Sequence, residues 1–305
     1  MQRRAFLLSM AAGAAALRCA RPMASSSPVS SRRAGPRVVV LDWGLAETLL
    51  ALGIIPAGIA EIDDYNANVV TPRIPRGVSD VGLRLAPSLE WLAQLAPDFI
   101  LINSSQESQR PMLERIAPVR AFAIYTDAGS PYPRSQEVTR ELGGLCGCET
   151  AAETLIADTA QTLDKNRVRL ATTGARPLYV IRFFDGRHIG VYGAHSLFQH
   201  VLDAQGLVNA WHGPTDYWGI GVAPLEALAV TPEAQLLYFE PLPGGVADKL
   251  ASNRLWRALP PVASGRVGAL PPFWGFGMLP SARRFSDALT QALLAGAAPM
   301  GAARS

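Results

Sequence analysis

Cysteine is scarce, three residues in 305, too few for a disulfide framework. Histidine is nearly as rare. His188, His195, His200 and His212 are the whole set, and His195 and His200, five apart, do not share a helix face. A surface or capping role is expected for each. There is no G-x-S-x-G elbow, no Walker A loop and no H-E-x-x-H. Hydrolases, nucleotidases and zinc peptidases built on those motifs drop out. Gly219-Ile220-Gly221 lacks the third glycine of a dinucleotide fingerprint and follows no strand pattern. Neither catalytic residues nor protein metal ligands are therefore expected. The apolar stretch near the N-terminus is too short to span a bilayer, which takes about 20 residues, and no later stretch is long enough either. Gly (27) and Pro (24) are at ordinary frequency, which excludes collagen-like and low-complexity chains.

What remains is a globular composition. Apolar residues make up 49% and charged residues 17%, enough for a sizeable core. The length fits about two domains. The formal charge of +3 resides at the N-terminus. Residues 1–24 hold Arg3, Arg4, Arg18 and Arg21 and no acid; without them 24 basic residues face 25 acidic ones. No basic stripe is left for nucleic acid.

Residues 1–24 have the layout of an export signal. The Arg3-Arg4 pair is followed by Phe6, Leu7 and Leu8, an Ala-rich stretch to Leu17 and a small-residue exit near Ala24. Adjacent arginines of this kind resemble a twin-arginine signal. Cys19 follows Arg18 rather than a small residue, so a lipid tether there is not expected. Residues 25–35 read as a flexible leader, and a periplasmic location follows.

The chain repeats itself. APSLEWLAQLAPDFILI (Ala86–Ile102) and APLEALAVTPEAQLLYF (Ala223–Phe239) share Ala-Pro, a Leu-Glu pair, a short apolar helix pattern, Pro with an acid, and a buried-strand run. Related pieces precede them at 49–58 and 202–211, and follow them at 112–125 and 254–271. Three matches in one order predict two α/β lobes of related build with mostly parallel sheets. The lobes are expected over 36–148 and 175–298. Between them one helix is expected over 149–174, opened by a Thr150/Glu153 capping box and stopped by Gly174. About 24 residues would give a strut of roughly 36 Å. PLYVIRFF and HIGVYG, joined by Asp185-Gly186, read as a hairpin. Cys146-Gly147-Cys148 falls in the turn before the strut. A structural or incidental role is expected there, with pairing left open.

Aromatic residues are the informative ones. Trp91 and Trp256 fall inside amphipathic patterns and are expected in the core. Trp43 ends the strand run VVVLDW, where open sheets bind ligands. Trp218 and Trp274 sit in the Gly/Pro-rich loops TDYWGIG and PPFWGFGM, positions that suit a ligand wall. Arg84, in SDVGLRLAP, suits a grip on an anion or carbonyl.

The segments LDWGLAETLLALGIIPAGIA, SDVGLRLAPSLEWLAQLAPDFIL, PMLERIAPVRAF, GAHSLFQHVLDAQGLVNAWHGPTDYWG and PPFWGFG resemble the FhuD-type ferric hydroxamate siderophore-binding proteins of ABC importers. The likeness runs from about Val38 to Ala295. It implies a class III periplasmic binding protein: two lobes, one rigid helix and a shallow cleft. It further implies a monomer with two partners, a ferric hydroxamate siderophore such as ferrichrome and an inner-membrane permease. No resident cofactor is implied, because the siderophore itself holds the iron. The resemblance gives Arg84 the grip on the ligand and Trp43, Trp211, Trp218, Trp274 and Phe276 the lining. It makes Glu90 and Glu226, one per lobe, the permease contacts. Gln106 stands where the family has Tyr, Asn68 falls near a family Trp, and Phe276 lacks the family Tyr's hydroxyl. The first-lobe wall is thus more polar than usual. Alternatives are a binding protein for another iron chelate, haem or a corrinoid, or an exported hydrolase acting on siderophores.

Overall fold

The computed structural model describes residues 35–127 and 129–296. The expected export signal, with Cys19, and most of the expected leader lie outside the described residues.

The first half runs β1 (Val38–Val40), α1 (Trp43–Ala51), β2 (Gly58–Ile59), α2 (Ile62–Asn68), β3 (Ser79–Asp80), β4 (Gly82–Leu83), β5 (Ala86–Pro87), α3 (Leu89–Leu95), β6 (Phe99–Asn103), a 3-10 turn at Ser104–Gln109, α4 (Arg110–Leu113) and β7 (Val119–Phe122). Helices α5 (Pro131–Cys146) and α6 (Glu149–Leu170) follow. The second half runs β8 (Leu178–Phe183), β9 (His188–Tyr192), α7 (Leu197–Ala204), β10 (Ile220–Pro224), a 3-10 turn at Leu225–Ala229 and β11 (Gln235–Phe239). It ends with α8 (Val246–Ser252), α9 (Arg254–Ala258), α10 (Pro260–Ala263), β12 (Val267–Leu270) and α11 (Leu279–Ala295).

One sheet has the order β3-β2-β1-β6-β7 and the other β10-β9-β8-β11-β12. In order of appearance both run third, second, first, fourth, fifth, so the two lobes share one plan. The first sheet is parallel throughout. The second is mixed, because the expected hairpin sets β9 antiparallel to both β8 and β10. The repeated sequence segments are the crossings into β6 and β11, the fourth strand of each sheet.

Strand alternation explains why these runs are apolar on both sides. Val38, Val40 and Leu101 face one cluster while Val39, Ile100 and Ile102 face another. In the second sheet Leu237 and Phe239 face the first of these clusters, and Leu236 and Tyr238 a third. The first cluster is continuous from Val38 through α6 to Phe239 and Phe285. The lobes therefore share a core.

Helix α6 is the strut, with ends different from those expected. It starts at Glu149 with Cys148 as N-cap. Thr150 is already inside the first turn, its carbonyl accepting from Thr154 Oγ1, while Glu153 pairs with Arg140 at 2.7 Å. The cause is upstream: Gly147, at φ 68°, ends α5 in the left-handed region and returns the chain to helix before Thr150 is reached. The helix stops at Leu170, whose carbonyl accepts from Thr173 Oγ1 at 2.8 Å, four residues before Gly174. Its 22 residues span about 33 Å. Cys146 and Cys148 lie at the α5–α6 junction as free thiols.

Helix α11 packs along α6 and also touches α1 and α7. Asn166 of α6 donates to Ser286 Oγ at 2.9 Å and Asp287 at 2.8 Å, and Gln205 donates to the same Ser286 at 2.7 Å. Tyr132 of α5 stacks on His200 of α7 at 4.0 Å and 11°. Burial pushes the His200 imidazole below its ordinary value, which favours the neutral ring in this stack. Among the described residues no helix is long and apolar enough to cross a membrane.

Candidate functional site

A cleft of about 370 Å³ opens at the C-terminal ends of the first sheet's strands, where α/β sheets place ligands. Asp42, Glu61, Arg84, Asn103 and Gln106 border it from the first lobe, Trp218, Trp274 and Phe276 from the second half of the chain.

Arg84 is its centre. The guanidinium lies 3.9 Å from the Trp43 ring centroid and 4.9 Å from that of Trp274. Its Nε donates to Glu61 Oε2 at 2.6 Å, and its backbone N–H to Glu61 Oε1 at 3.2 Å. Glu61 reaches this place from a left-handed backbone, φ 54°. The Arg84 side chain keeps 30% of its surface exposed. The planar fork is thus held against aromatic faces and pinned at one end.

Gln106 is 1% exposed and acts as a brace. Its Nε2 donates to the carbonyls of Leu41 at 3.1 Å and Arg84 at 2.9 Å, and its Oε1 accepts from Asn103 N. With Asn103 it closes the capping box of the 3-10 turn. Its amide is therefore committed to the protein rather than offered to a ligand, which corrects the expectation for Gln106.

Trp43 is corrected likewise. It is 2% exposed, with its Nε1 donating to Ala60 O at 3.0 Å. It is the floor beneath Arg84 and no wall. Trp211 is not at the cleft at all. It packs over Gly193, Gly213 and Gly221, where an added Cβ would come within 2.5–2.9 Å of its ring. These glycines clear the space for it. Trp91 is 53% exposed rather than core, while Trp256 is buried as expected. The buried face of α3 is Leu92 with Leu89 and Leu95 partly covered, and Trp91 is out of that phase. Asn68 borders a separate hollow with Arg182, Phe184 and Glu240.

Trp218, Trp274 and Phe276 do come together. Phe276 lies 4.9 Å from Trp218 and 5.1 Å from Trp274, and Trp274 lies 4.6 Å from Trp43. Tyr125, just beyond β7, completes the group at 5.3 Å from Trp218. Sequence reasoning missed it, although its place past a strand end is the signal used for Trp43. Glu61 was missed as well.

Asp42 caps α1 through Leu45 N at 2.9 Å and accepts from Asn103 Nδ2 at 2.7 Å. Burial raises its carboxyl above the ordinary value, against those bonds and the charge of Arg84. Among the described residues no three His, Cys, Asp or Glu side chains gather as a metal site. Ser105 is the hydroxyl at the cleft, and it donates to Asn103 Oδ1 at 2.6 Å. Among the described residues no histidine lines the cleft, and none stands beside Ser105 there.

Glu90 and Glu226 are both exposed. Each opens the segment leading into the fourth strand of its sheet. Glu90 is in the first turn of α3 and Glu226 in a 3-10 turn. Their prolines stand outside the helices. Ser88 is the N-cap after Pro87, and Pro224 is itself the N-cap.

The periplasmic binding protein family model matches residues 38–272. The iron(3+)-hydroxamate-binding protein FhuD of Escherichia coli K12 is 36% identical over 257 residues, 84% of this chain and 86% of that protein. The structure of FhuD from Vibrio cholerae bound to Fe3+–Desferal superposes with a TM-score of 0.82 at 33% identity, covering 86% of this chain and 99% of that one. The catecholate-siderophore-binding protein VctP of V. cholerae, at 19% identity and a TM-score of 0.65, shares the fold. The doubled sheet plan, the helical strut and this extent of similarity agree: the chain belongs to the periplasmic binding protein family.

Proposed function

We propose that this protein captures a ferric hydroxamate siderophore outside the cytoplasm and delivers it to an ABC permease. The observation that carries the reading is Arg84, its guanidinium laid on Trp43 and Trp274 and fixed by Glu61 at the base of an aromatic cleft. A ferric tris-hydroxamate needs no metal ligand from the protein; it needs apolar walls and a donor to its oxygens. Glu61 offsets the charge of Arg84, so the cleft suits a neutral chelate better than a highly anionic catecholate. The named ligands of the E. coli and V. cholerae relatives support the hydroxamate class. The missing nucleophile–base pair at the cleft argues for binding over hydrolysis.

Glu90 and Glu226, exposed at equivalent places in related lobes, are the contacts offered to two similar permease subunits. Residues 1–24 supply the export signal, and the mature chain works as a monomer in the periplasm. Fluorescence titration of the mature protein tests the ligand. Ferric hydroxamates are expected to quench tryptophan emission saturably, and ferric tris-catecholates to bind far more weakly. The reverse order of affinity overturns the assignment.

A further inference from the structure

The segment between β12 and α11 carries Trp274 and Phe276. By chain order it belongs to the second lobe. Its anchors are in the first. Tyr125 Oη donates to the carbonyl of Gly277 at 2.7 Å. Glu47 of α1 accepts from Met278 N at 2.7 Å and, more weakly, from Ser281 N at 3.4 Å, both on Oε1. Its other oxygen accepts from Ser281 Oγ at 2.7 Å. Thr48 Oγ1 meets Met278 Sδ at 3.4 Å. A Cβ on Gly277 would lie 2.6 Å from Glu47 Oε1 and 2.2 Å from Ser281 Oγ, so the approach requires glycine.

Glu47 is fully buried in the helix that opens the first lobe. Burying a carboxylate is costly unless donors surround it. Here the donors are the backbone N–H of Met278, the N-cap of α11, and the N–H and hydroxyl of Ser281 in its first turn; Met278 has no capping side chain of its own. Glu47 therefore supplies the cap from another element, at the positive end of a 17-residue helix.

We propose that Glu47 is a positioning residue of the ligand site: it touches no ligand, and by anchoring Met278 and Ser281 to the first lobe it sets where Trp274 and Phe276 stand. The inference rests on the reading of the cleft as the ligand site.

The groups facing Glu47 are few. Arg284 of α11 attracts its charge while bonding the carbonyls of Val69 and Thr71. Tyr65 of α2 and Tyr125 face it as phenols, both held protonated by burial and by the Glu47 charge. Asp42 also acts on Tyr125. Burial pushes Glu47 up to about 7, so its charge changes near neutrality, and the carboxylate is the form that best holds three donors.

Labelling with 5-fluorotryptophan and reading 19F spectra tests this without ligand, the Trp274 resonance being assigned from Trp274→Phe. In the wild type that resonance is expected to shift with a midpoint near pH 7. Glu47→Gln should remove the shift. Two aromatic side chains ordered during binding instead of beforehand weaken affinity by roughly tenfold, the loss expected for Glu47→Ala with ferric desferrioxamine. Glu47→Gln, which keeps an acceptor, should restore most of it. A Trp274 titration unchanged in Glu47→Gln overturns the proposal, as does wild-type affinity in Glu47→Ala. If Glu47→Ala does not fold, the Gln variant's 19F profile alone decides. Failure of the wild type to bind any ferric hydroxamate is a different result and rejects the cleft assignment instead.

Discussion

Replacing Arg84 by Ala separates its two jobs, because the structure shows what each bond is attached to. On the protein side the change removes a guanidinium 3.9 Å above Trp43 and strips Glu61 of its partner. A partly desolvated cation–π contact is worth about 1 kcal/mol. The ion pair keeps 30% of the arginine side chain in solvent, so its own share is discounted to about 1 kcal/mol or less. Stability should fall by about 1–2 kcal/mol, a few degrees in Tm for a chain of this size, and the protein should still fold. On the ligand side the loss is a charge-assisted hydrogen bond of about 1.5–3 kcal/mol, or roughly 10- to 150-fold in Kd. Isothermal titration with ferric desferrioxamine, beside thermal unfolding of the same samples, measures both terms. Arg84→Lys should recover only part of the affinity, since an ammonium cannot lie flat on Trp43 and present a planar fork together. Glu61→Gln keeps a hydrogen-bond partner for Arg84 and should cost less than Arg84→Ala. Wild-type affinity in a folded Arg84→Ala protein would refute the reasoning.

Trp218→Ala and Trp274→Ala should each weaken ligand binding by about 1–3 kcal/mol, the range for an aromatic anchor, and should also lower stability, because both rings pack partly buried against the core; titration of either folded variant at wild-type affinity removes that residue from the wall. For Glu47 the folded value of about 7 stands above its ordinary 4.5. Its contribution is therefore fully present below pH 4.5 and is lost as pH rises through 7, about 3 kcal/mol in all. Denaturant melts of wild type and Glu47→Gln at pH 5 and pH 8 should show the wild type losing more stability across that step, and parallel profiles would contradict it. Changing Glu90 and Glu226 together to Ala should abolish transport with ligand affinity intact, and each single change should do less; full uptake by the double variant, or loss of ligand binding, ends the docking assignment. Small-angle scattering should give nearly the same radius of gyration with and without ligand, and a large decrease on binding rejects a stiff linkage through α6.

The lobes and their order were legible because buried strands leave strong marks. An apolar run after Pro and an acid is hard to place anywhere but in a covered sheet, and it occurs at Phe99–Asn103 and again at Gln235–Phe239. That Arg84, Trp218 and Trp274 stand in loops apart from the core pattern was legible in the sequence, and Phe276 was added by the family likeness; the structure brings all four to one cleft. The failures have physical causes. Trp91 was assigned by type rather than by phase, although Leu89, Leu92 and Leu95 mark the covered face of α3. Trp43 and Gln106 stand at the right strand ends, but whether such a side chain faces a ligand or supports the one that does depends on what crosses over it. Glu61 and Arg84 meet across 23 residues through a left-handed backbone that no sequence pattern announces. Glu47 was visible in principle, as a lone acid within the apolar run WGLAETLL; its partners, more than 230 residues away, were not.

The same long-range contacts bear on how the cleft works. If its two walls belonged to separate lobes, binding would have to pull them together and spend contact energy on closure. Here the wall bearing Trp274 and Phe276 is fastened to α1 and Tyr125, while the wall bearing Trp218 packs onto Tyr125 and Phe276. One apolar core runs beneath both. The aromatic surface is therefore in place before a ligand arrives, and Arg84 is already oriented by Glu61 and Gln106. What stays open is the rim, where Leu83 and Leu85 are 59% and 69% exposed on either side of Arg84. On the proposed reading, a prebuilt wall with an apolar rim suits a grip on the chelate centre, with the periphery of the ligand at the open side. If the proposed cleft holds a ferric siderophore, such a site is expected to tolerate variation in the siderophore's backbone while discriminating on the charge and geometry of its iron centre.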